Sequence, residues 1–281
     1  MKTESVLGLG PHGFHRIAYT EWGEAGSGRT LVCVHGMTRN GRDFDRLAAA
    51  LSDRWHVVCP DLPGRGRSDW LPAADYNFPQ YMADAAALIA RLGVTEIDWV
   101  GTSLGGIIGM QLAAQPQSPI RRLVINDIGP FIPRGGRLRL AEYVGKDPHF
   151  SGLEELEFYL RKVHAPFGPL NDHDWRHLAL QGYRRLDGGG FALHYDPGVA
   201  QALQSPDLAD IDMWPLWDAI KCPVLVLRGA DSDILPAETA AEMRRRGPKA
   251  TLVELPGIGH APALMADEQI ALVRDWLTKT A

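Results

Sequence analysis

Ile97-Asp98-Trp99-Val100-Gly101-Thr102-Ser103-Leu104-Gly105 leads into an apolar run that ends at Ala114. The first four residues read as a strand, and Leu104 to Ala114 read as a helix. Ser103 then occupies the sharp turn between them. Such a turn forces its central residue into strained backbone angles and brings neighbouring chain very close. Gly101 and Gly105 remove the Cβ atoms that would collide. A serine on G-x-S-x-G between a strand and a helix is presented for nucleophilic attack. The chain holds 30 glycines in 281 residues, so the pentapeptide alone is weak. Its strand–turn–helix setting gives it meaning.

Either side of this corner, short apolar runs alternate with helical patterns. Phe14 to Trp22 reads as an antiparallel strand, and Thr30 to His35 as a strand buried on both faces. Asp43 to Leu51 has helical spacing, Trp55 to Cys59 is the next strand, and Tyr81 to Leu92 is a helix stopped by Gly93. Ile120 to Asn126 is a further strand, ending at Asp127-Ile128-Gly129-Pro130. From about 131 to 215 the rhythm breaks into helical pieces rich in Trp, His, Tyr and Arg, with no clear strand. The pattern resumes at Pro223 to Arg228 and closes with a helix over 237–246, a strand over 250–255 and a helix over 267–279. This alternation predicts an α/β fold, a mostly parallel sheet with helices on both faces. The expected division is a core of residues 1–130 and 216–281 and a helical lid of residues 131–215.

Hydrophobic content of 45% and charged content of 22% fit a soluble globular protein. A net charge of −5 gives no positive field to attract nucleic acid. No stretch has the length of a membrane span, and Met1 to Ser5 lacks a signal-peptide pattern. The three cysteines, Cys33, Cys59 and Cys222, sit in or beside apolar runs and read as reduced, buried thiols. A cytoplasmic location is expected, with neither nucleic acid nor membrane as partner.

A serine hydroxyl needs a base, and the base needs an orienting acid. His260, in Gly257-Ile258-Gly259-His260, follows the last strand at the sheet end where ligands bind such folds. Two strands end in aspartates: Asp127 follows the strand before the insert, and Asp231 and Asp233 follow the strand after it. Asp233 is the first choice for the acid and Asp127 the second. Oxyanion stabilisation requires fixed N–H groups. Leu104, at the helix start, offers one, and Met37, in His35-Gly36-Met37-Thr38, offers the other. His35 and Gly36 are expected beside the substrate, with His35 as a hydrogen-bonding residue and not a second base. His173 and His177 are four apart, but zinc would need a third ligand and a catalytic Glu between them, so no metal is expected.

These features together resemble the α/β-hydrolase superfamily over nearly the whole chain. His35-Gly36 matches its oxyanion motif, Asp61-Leu62-Pro63-Gly64-Arg65-Gly66-Arg67-Ser68 its D-x-P-G-x-G-x-S turn, and Gly101 to Gly106 its nucleophile corner. The resemblance implies an eight-stranded, mostly parallel sheet with a helical cap inserted after the sixth strand. In the common pattern of that superfamily the acid lies three residues after the glycine ending the seventh strand. Counted from Gly229, that position holds Ser232. Some relatives place the acid after the sixth strand, where Asp127 stands.

Ser103 argues against the dehalogenase-like and epoxide hydrolase-like members, which use an aspartate at the corner. It favours acyl transfer without metal or organic cofactor. The leading expectation is a carboxylic ester hydrolase for a small to medium, mainly apolar substrate. A carbon–carbon bond hydrolase of ring-cleavage products is the alternative, with Arg39 and Arg184 to hold a dienoate carboxylate. A lactonase or perhydrolase, and a non-catalytic receptor on the same fold, carry less weight.

Overall fold

The central apolar runs become strands because each can be covered on both faces. In the computed structural model, which describes residues 1–26 and 28–279, eight strands of the described residues form one sheet. They are β1 (Lys2–Gly10), β2 (Gly13–Trp22), β3 (Thr30–Val34), β4 (His56–Pro60), β5 (Ile97–Thr102), β6 (Ile120–Asn126), β7 (Val224–Gly229) and β8 (Thr251–Leu255). Their spatial order is β1-β2-β4-β3-β5-β6-β7-β8. β1 pairs antiparallel with β2 and β2 with β4, while the pairs from β4 to β8 are parallel. Residues 27, 280 and 281 of the expected core segments lie outside the described residues.

Alternation along β3 shows how the sheet is clamped. Leu31 and Cys33 face one apolar cluster, with Leu47 and Leu51 of α1 (Asp45–Leu51) and Val273 and Leu277 of the C-terminal helix Asp267–Lys279. Val32 and Val34 face the other, with Leu88 of α2 (Phe78–Leu92) and Ile108 of α3 (Leu104–Ala113). Each such side chain contributes about 1.5–3 kcal/mol on burial. Packing on two faces, more than strand propensity, therefore fixes the register. Asp98 is the polar exception inside β5; it accepts from Trp55 Nε1 at 2.9 Å and from Arg122 Nε at 2.8 Å, so the buried carboxylate is compensated.

The chain passes from β3 to β4 on one side and then to β5 on the other. That reversal opens a crevice at the carboxyl ends of β3 and β5, where ligands bind such sheets. Residues 131–215 enclose it, carrying α4 (Arg134–Ala141), α5 (Leu153–Val163) and α6 (Asp172–Gln181). Contrary to the sequence reading, this segment has strands. Phe131–Ile132 pairs with Ile211–Asp212, tying the segment's two ends together, and Phe191–Leu193 pairs with both His149–Phe150 and Tyr183–Arg185. Two- and three-residue strands are too short for a period-two pattern to register in sequence. The segment is seated on the sheet loops by Tyr76 Oη, which donates to Asp196 at 2.6 Å, and by Asn40 Nδ2, which donates to the Gln181 carbonyl at 2.7 Å.

The cysteines are free thiols: Cys33 and Cys59 are buried and Cys222 half-buried. Among the described residues no helix is long and apolar enough to cross a membrane.

Candidate active site

Ser103 sits at φ 52° and ψ −113°, a conformation that L residues rarely adopt. The strain is held by crowding on both sides. A Cβ on Gly101 would lie 2.2 Å from the Gly105 carbonyl oxygen, and one on Gly105 would lie 2.1 Å from that of Val34. The Ser103 N–H donates to the Asn126 carbonyl at 2.9 Å, and its own carbonyl accepts from Gly106 and Ile107 at 2.8 and 3.1 Å. Backbone on either side is thus committed, and the hydroxyl is left facing the crevice.

There Ser103 Oγ lies 2.9 Å from His260 Nε2, and His260 Nδ1 lies 2.8 Å from Asp127 Oδ2. A carboxylate only accepts, so Nδ1 carries the proton and Nε2 offers its lone pair to the serine O–H. Asp127 is fully buried at the end of β6, with φ 57°. Three donors meet it: His260, the Gly229 N–H at 2.8 Å on Oδ1, and the Ser232 hydroxyl at 2.6 Å on Oδ2. A buried carboxylate supplied in this way needs no further counter-charge.

The first choice for the acid is therefore corrected. Asp233 points outward, its side chain 43% exposed, and its Oδ1 accepts from Arg139 Nη2 of α4 at 2.9 Å. Asp231 is also exposed. Ser232 occupies the position between them that faces inward, and its oxygen also accepts the Leu235 N–H at 3.1 Å. Sequence reasoning assigned Ser232 no role, although its place three residues after Gly229 marked the position.

His35 and Gly36 act on one peptide. The Leu62 N–H donates to His35 Nε2 at 2.9 Å, so the ring proton is on Nδ1, which donates to the Gly36 carbonyl at 2.7 Å. In a trans peptide the C=O and the next N–H point opposite ways. Tethering the Gly36 carbonyl thereby aims the Met37 N–H away from His35. Burial holds His35 neutral, with its pKa lowered to about 3. The Met37 carbonyl accepts in turn from Arg65 Nε at 2.8 Å. Arg65 is fully buried, donates also to Pro63 O at 2.7 Å, and lies over the rings of Tyr76 and Tyr81. Its part in fixing this loop was not legible in sequence, since the Met37 carbonyl that it holds is 28 residues away. Leu104 N–H is at the first position of α3 and has no carbonyl within its helix to bond. Asp61 anchors the same region by accepting from Gly41 and Arg67 N–H at 2.8 and 2.9 Å, while burial pushes its pKa up to about 6.

Above Ser103 and His260 lies a cavity of about 150 Å³, lined also by His35, Gly36, Met37 and Leu104. Its walls are largely apolar, including Ile107, Ile128, Ile132 and Leu140. Arg39 reaches this cavity but its guanidinium is committed to Asp43, at 2.8 and 2.7 Å. Arg184 does not: it pairs with Asp147 at 2.6 Å and lines a different surface depression. His173 is exposed, whereas His177 Nε2 lies 3.0 Å from the Arg42 carbonyl.

A family model described as alpha/beta hydrolase fold matches residues 29–265. The chain is 45% identical over 279 residues to a 3-hydroxybutyrate-oligomer hydrolase of Cupriavidus necator, covering 96% of this chain and 95% of the relative. It is 30% identical over 240 residues to a 2-(acetamidomethylene)succinate hydrolase of Mesorhizobium japonicum, covering 84% and 83%. A crystal structure of an alpha/beta hydrolase from Novosphingobium aromaticivorans superposes with a TM-score of 0.88 at 36% identity, covering 99% and 98% of the two chains.

Proposed function

Because the chain belongs to the α/β-hydrolase family, we propose that it cleaves short oligoesters of the 3-hydroxybutyrate type through an acyl-enzyme on Ser103. It is a hydrolase acting on ester bonds. The observation that carries the mechanism is the unbroken chain from Ser103 Oγ through His260 to Asp127 at the floor of an apolar cavity.

In the reading we adopt, Ser103 Oγ bonds to the ester carbonyl carbon as its proton passes to His260 Nε2. The carbonyl oxygen becomes an oxyanion and takes hydrogen bonds from the Met37 and Leu104 N–H groups. Collapse breaks the bond to the alcohol oxygen, which leaves with the proton from His260. Water then attacks the acyl carbon as its proton passes to His260, collapse breaks the bond from that carbon to Ser103 Oγ, and His260 returns the proton to Oγ as the hydroxy acid leaves. Asp127 keeps the imidazole in the required tautomer and stabilises the imidazolium.

Substrate class follows from two supports. One is the relative that acts on 3-hydroxybutyrate oligomers. The other is Arg137 of α4, which lines the cavity and donates to the main-chain carbonyls of Ala209 and Ala202. No carboxylate of the described residues lies within 4.0 Å of it. A cation so placed suits the free carboxylate at the end of an oligoester. The test combines a fluorophosphonate label with hydrolysis of the 3-hydroxybutyrate dimer. Modification on Ser103 and release of two monomers are expected. An active protein that leaves Ser103 unlabelled, or that spares the dimer, would overturn the mechanism or the substrate respectively.

A further inference from the structure

The 131–215 segment brings the imidazole of His164 to the cavity, beside Tyr143 and the apolar wall. His164 follows α5 and is 5% exposed. Among the described residues neither of its ring nitrogens makes a hydrogen bond, and neither is sealed off by surrounding atoms. Buried polar groups are ordinarily paired, so an open, unpaired ring at a cavity wall points to a ligand.

Its orientation is fixed. The Phe167 ring stacks on it with centroids 4.4 Å apart and an interplanar angle of 23°, and the Tyr143 ring meets it edge-on at 6.2 Å and 89°. The His164 N–H donates to the Leu160 carbonyl at 2.8 Å, and its carbonyl accepts from Phe167 at 2.9 Å. Burial, and then the positive fields of Arg39 and Arg139, hold the imidazole well below the usual histidine range, so it is neutral. A neutral imidazole offers one N–H and one lone pair. That pair complements an uncharged oxygen, either a hydroxyl or an ester oxygen. A carboxylate is served better by the cationic Arg137, and hydrocarbon by the isoleucines.

Resting on the ester-hydrolase reading above, we propose that His164 hydrogen-bonds the oxygen on the third carbon of the acyl group. The enzyme thereby selects 3-hydroxyacyl esters over plain acyl esters. A few placed polar groups in an apolar pocket are the usual source of such orientation.

The test uses two substrates with the same leaving alcohol, the 3-hydroxybutyrate dimer and 3-butyryloxybutyrate, and compares the kcat/KM ratio. The unaltered enzyme should favour the hydroxylated acyl group by about 10- to 100-fold. His164→Phe should bring the ratio towards one. His164→Asn keeps a polar side chain but shortens its reach, and it should lower the ratio too, which guards against a variant that fails to fold. A ratio near one in the unaltered enzyme, or the same ratio in all three proteins, would overturn the role of His164 while leaving ester hydrolysis intact. Turnover of neither ester, with Ser103 unlabelled, would remove the hydrolase reading and the His164 role together.

Discussion

At the carboxyl ends of the strands, Ser103, His260, Asp127 and His35 each have their polar atoms held by named partners. Across the cavity, on the 131–215 segment, the His164 ring nitrogens have none among the described residues, and the hydrogen bonds Arg137 makes there go to main-chain carbonyls. The two walls are built on different principles. One is over-determined: backbone crossings and buried hydrogen bonds fix each group before any ligand arrives, as electrostatic preorganisation requires. The other leaves polar valences open, which is what recognition of a particular ligand requires.

The strongest way to break this contrast is to exchange the two strand-end aspartates. Asp127→Asn should lower kcat by about 10³- to 10⁴-fold, because the amide can hold the wrong imidazole tautomer. Asp233→Asn should change kcat by only about twofold, as for other solvent-facing positions. Steady-state kinetics on a short ester would decide it, and a large loss at Asp233 would return the acid to the strand-seven loop.

A smaller effect should come from His35→Gln, which loosens the tether on the Gly36–Met37 peptide. A loss of about 10²-fold in kcat is expected if that peptide supplies an oxyanion donor. The same residue marks stability. Its folded pKa is about 3 against an ordinary histidine value of 6.5, so the unfolded chain binds the proton first as pH falls. The native state is therefore favoured above pH 6.5 and loses about 2 kcal/mol from this one group between pH 6.5 and 5. Urea unfolding across that range should show a flatter acid limb in His35→Gln. An unchanged limb would mean that His35 is not shielded from the proton.

A weaker effect is expected at Ser232, between that of His35→Gln and that of Asp233→Asn. Replacing it with Ala leaves Asp127 its bonds to His260 and Gly229 but removes the third, for a loss of about 10-fold in kcat with little change in KM. No loss at all would show the third donor to be redundant and would soften the contrast between the walls.

Much of the sheet wall was legible in sequence because its constraints are local. Gly101 and Gly105 announce a crossing that only glycine permits, and His35-Gly36 stands next to the peptide it tethers. The choice of acid was not legible. Asp127 and Asp233 follow adjacent strands, and what separates them is that one faces inward among three donors while the other meets Arg139 from α4. Arg65 was missed for the same reason, since the Met37 carbonyl and the tyrosine rings it meets lie far from it in sequence. The 131–215 segment was read only as helical, because its short strands pair across long sequence separations, Phe131–Ile132 with Ile211–Asp212.

The position of Asp127 sets a rule for anyone recombining this protein with its relatives. The carboxylate stands four residues before Phe131, the start of the strand pair that ties the segment's ends together. Between them, Ile128 packs against Gly106, and Gly129 fits against Leu235 and Met243 with no room for a side chain. A chimaera that imports a foreign roof should be spliced beyond Gly129. A junction placed at the end of β6 would swap Asp127, the acid proposed to orient His260, along with the roof, so altered specificity and lost turnover would arrive as a single event.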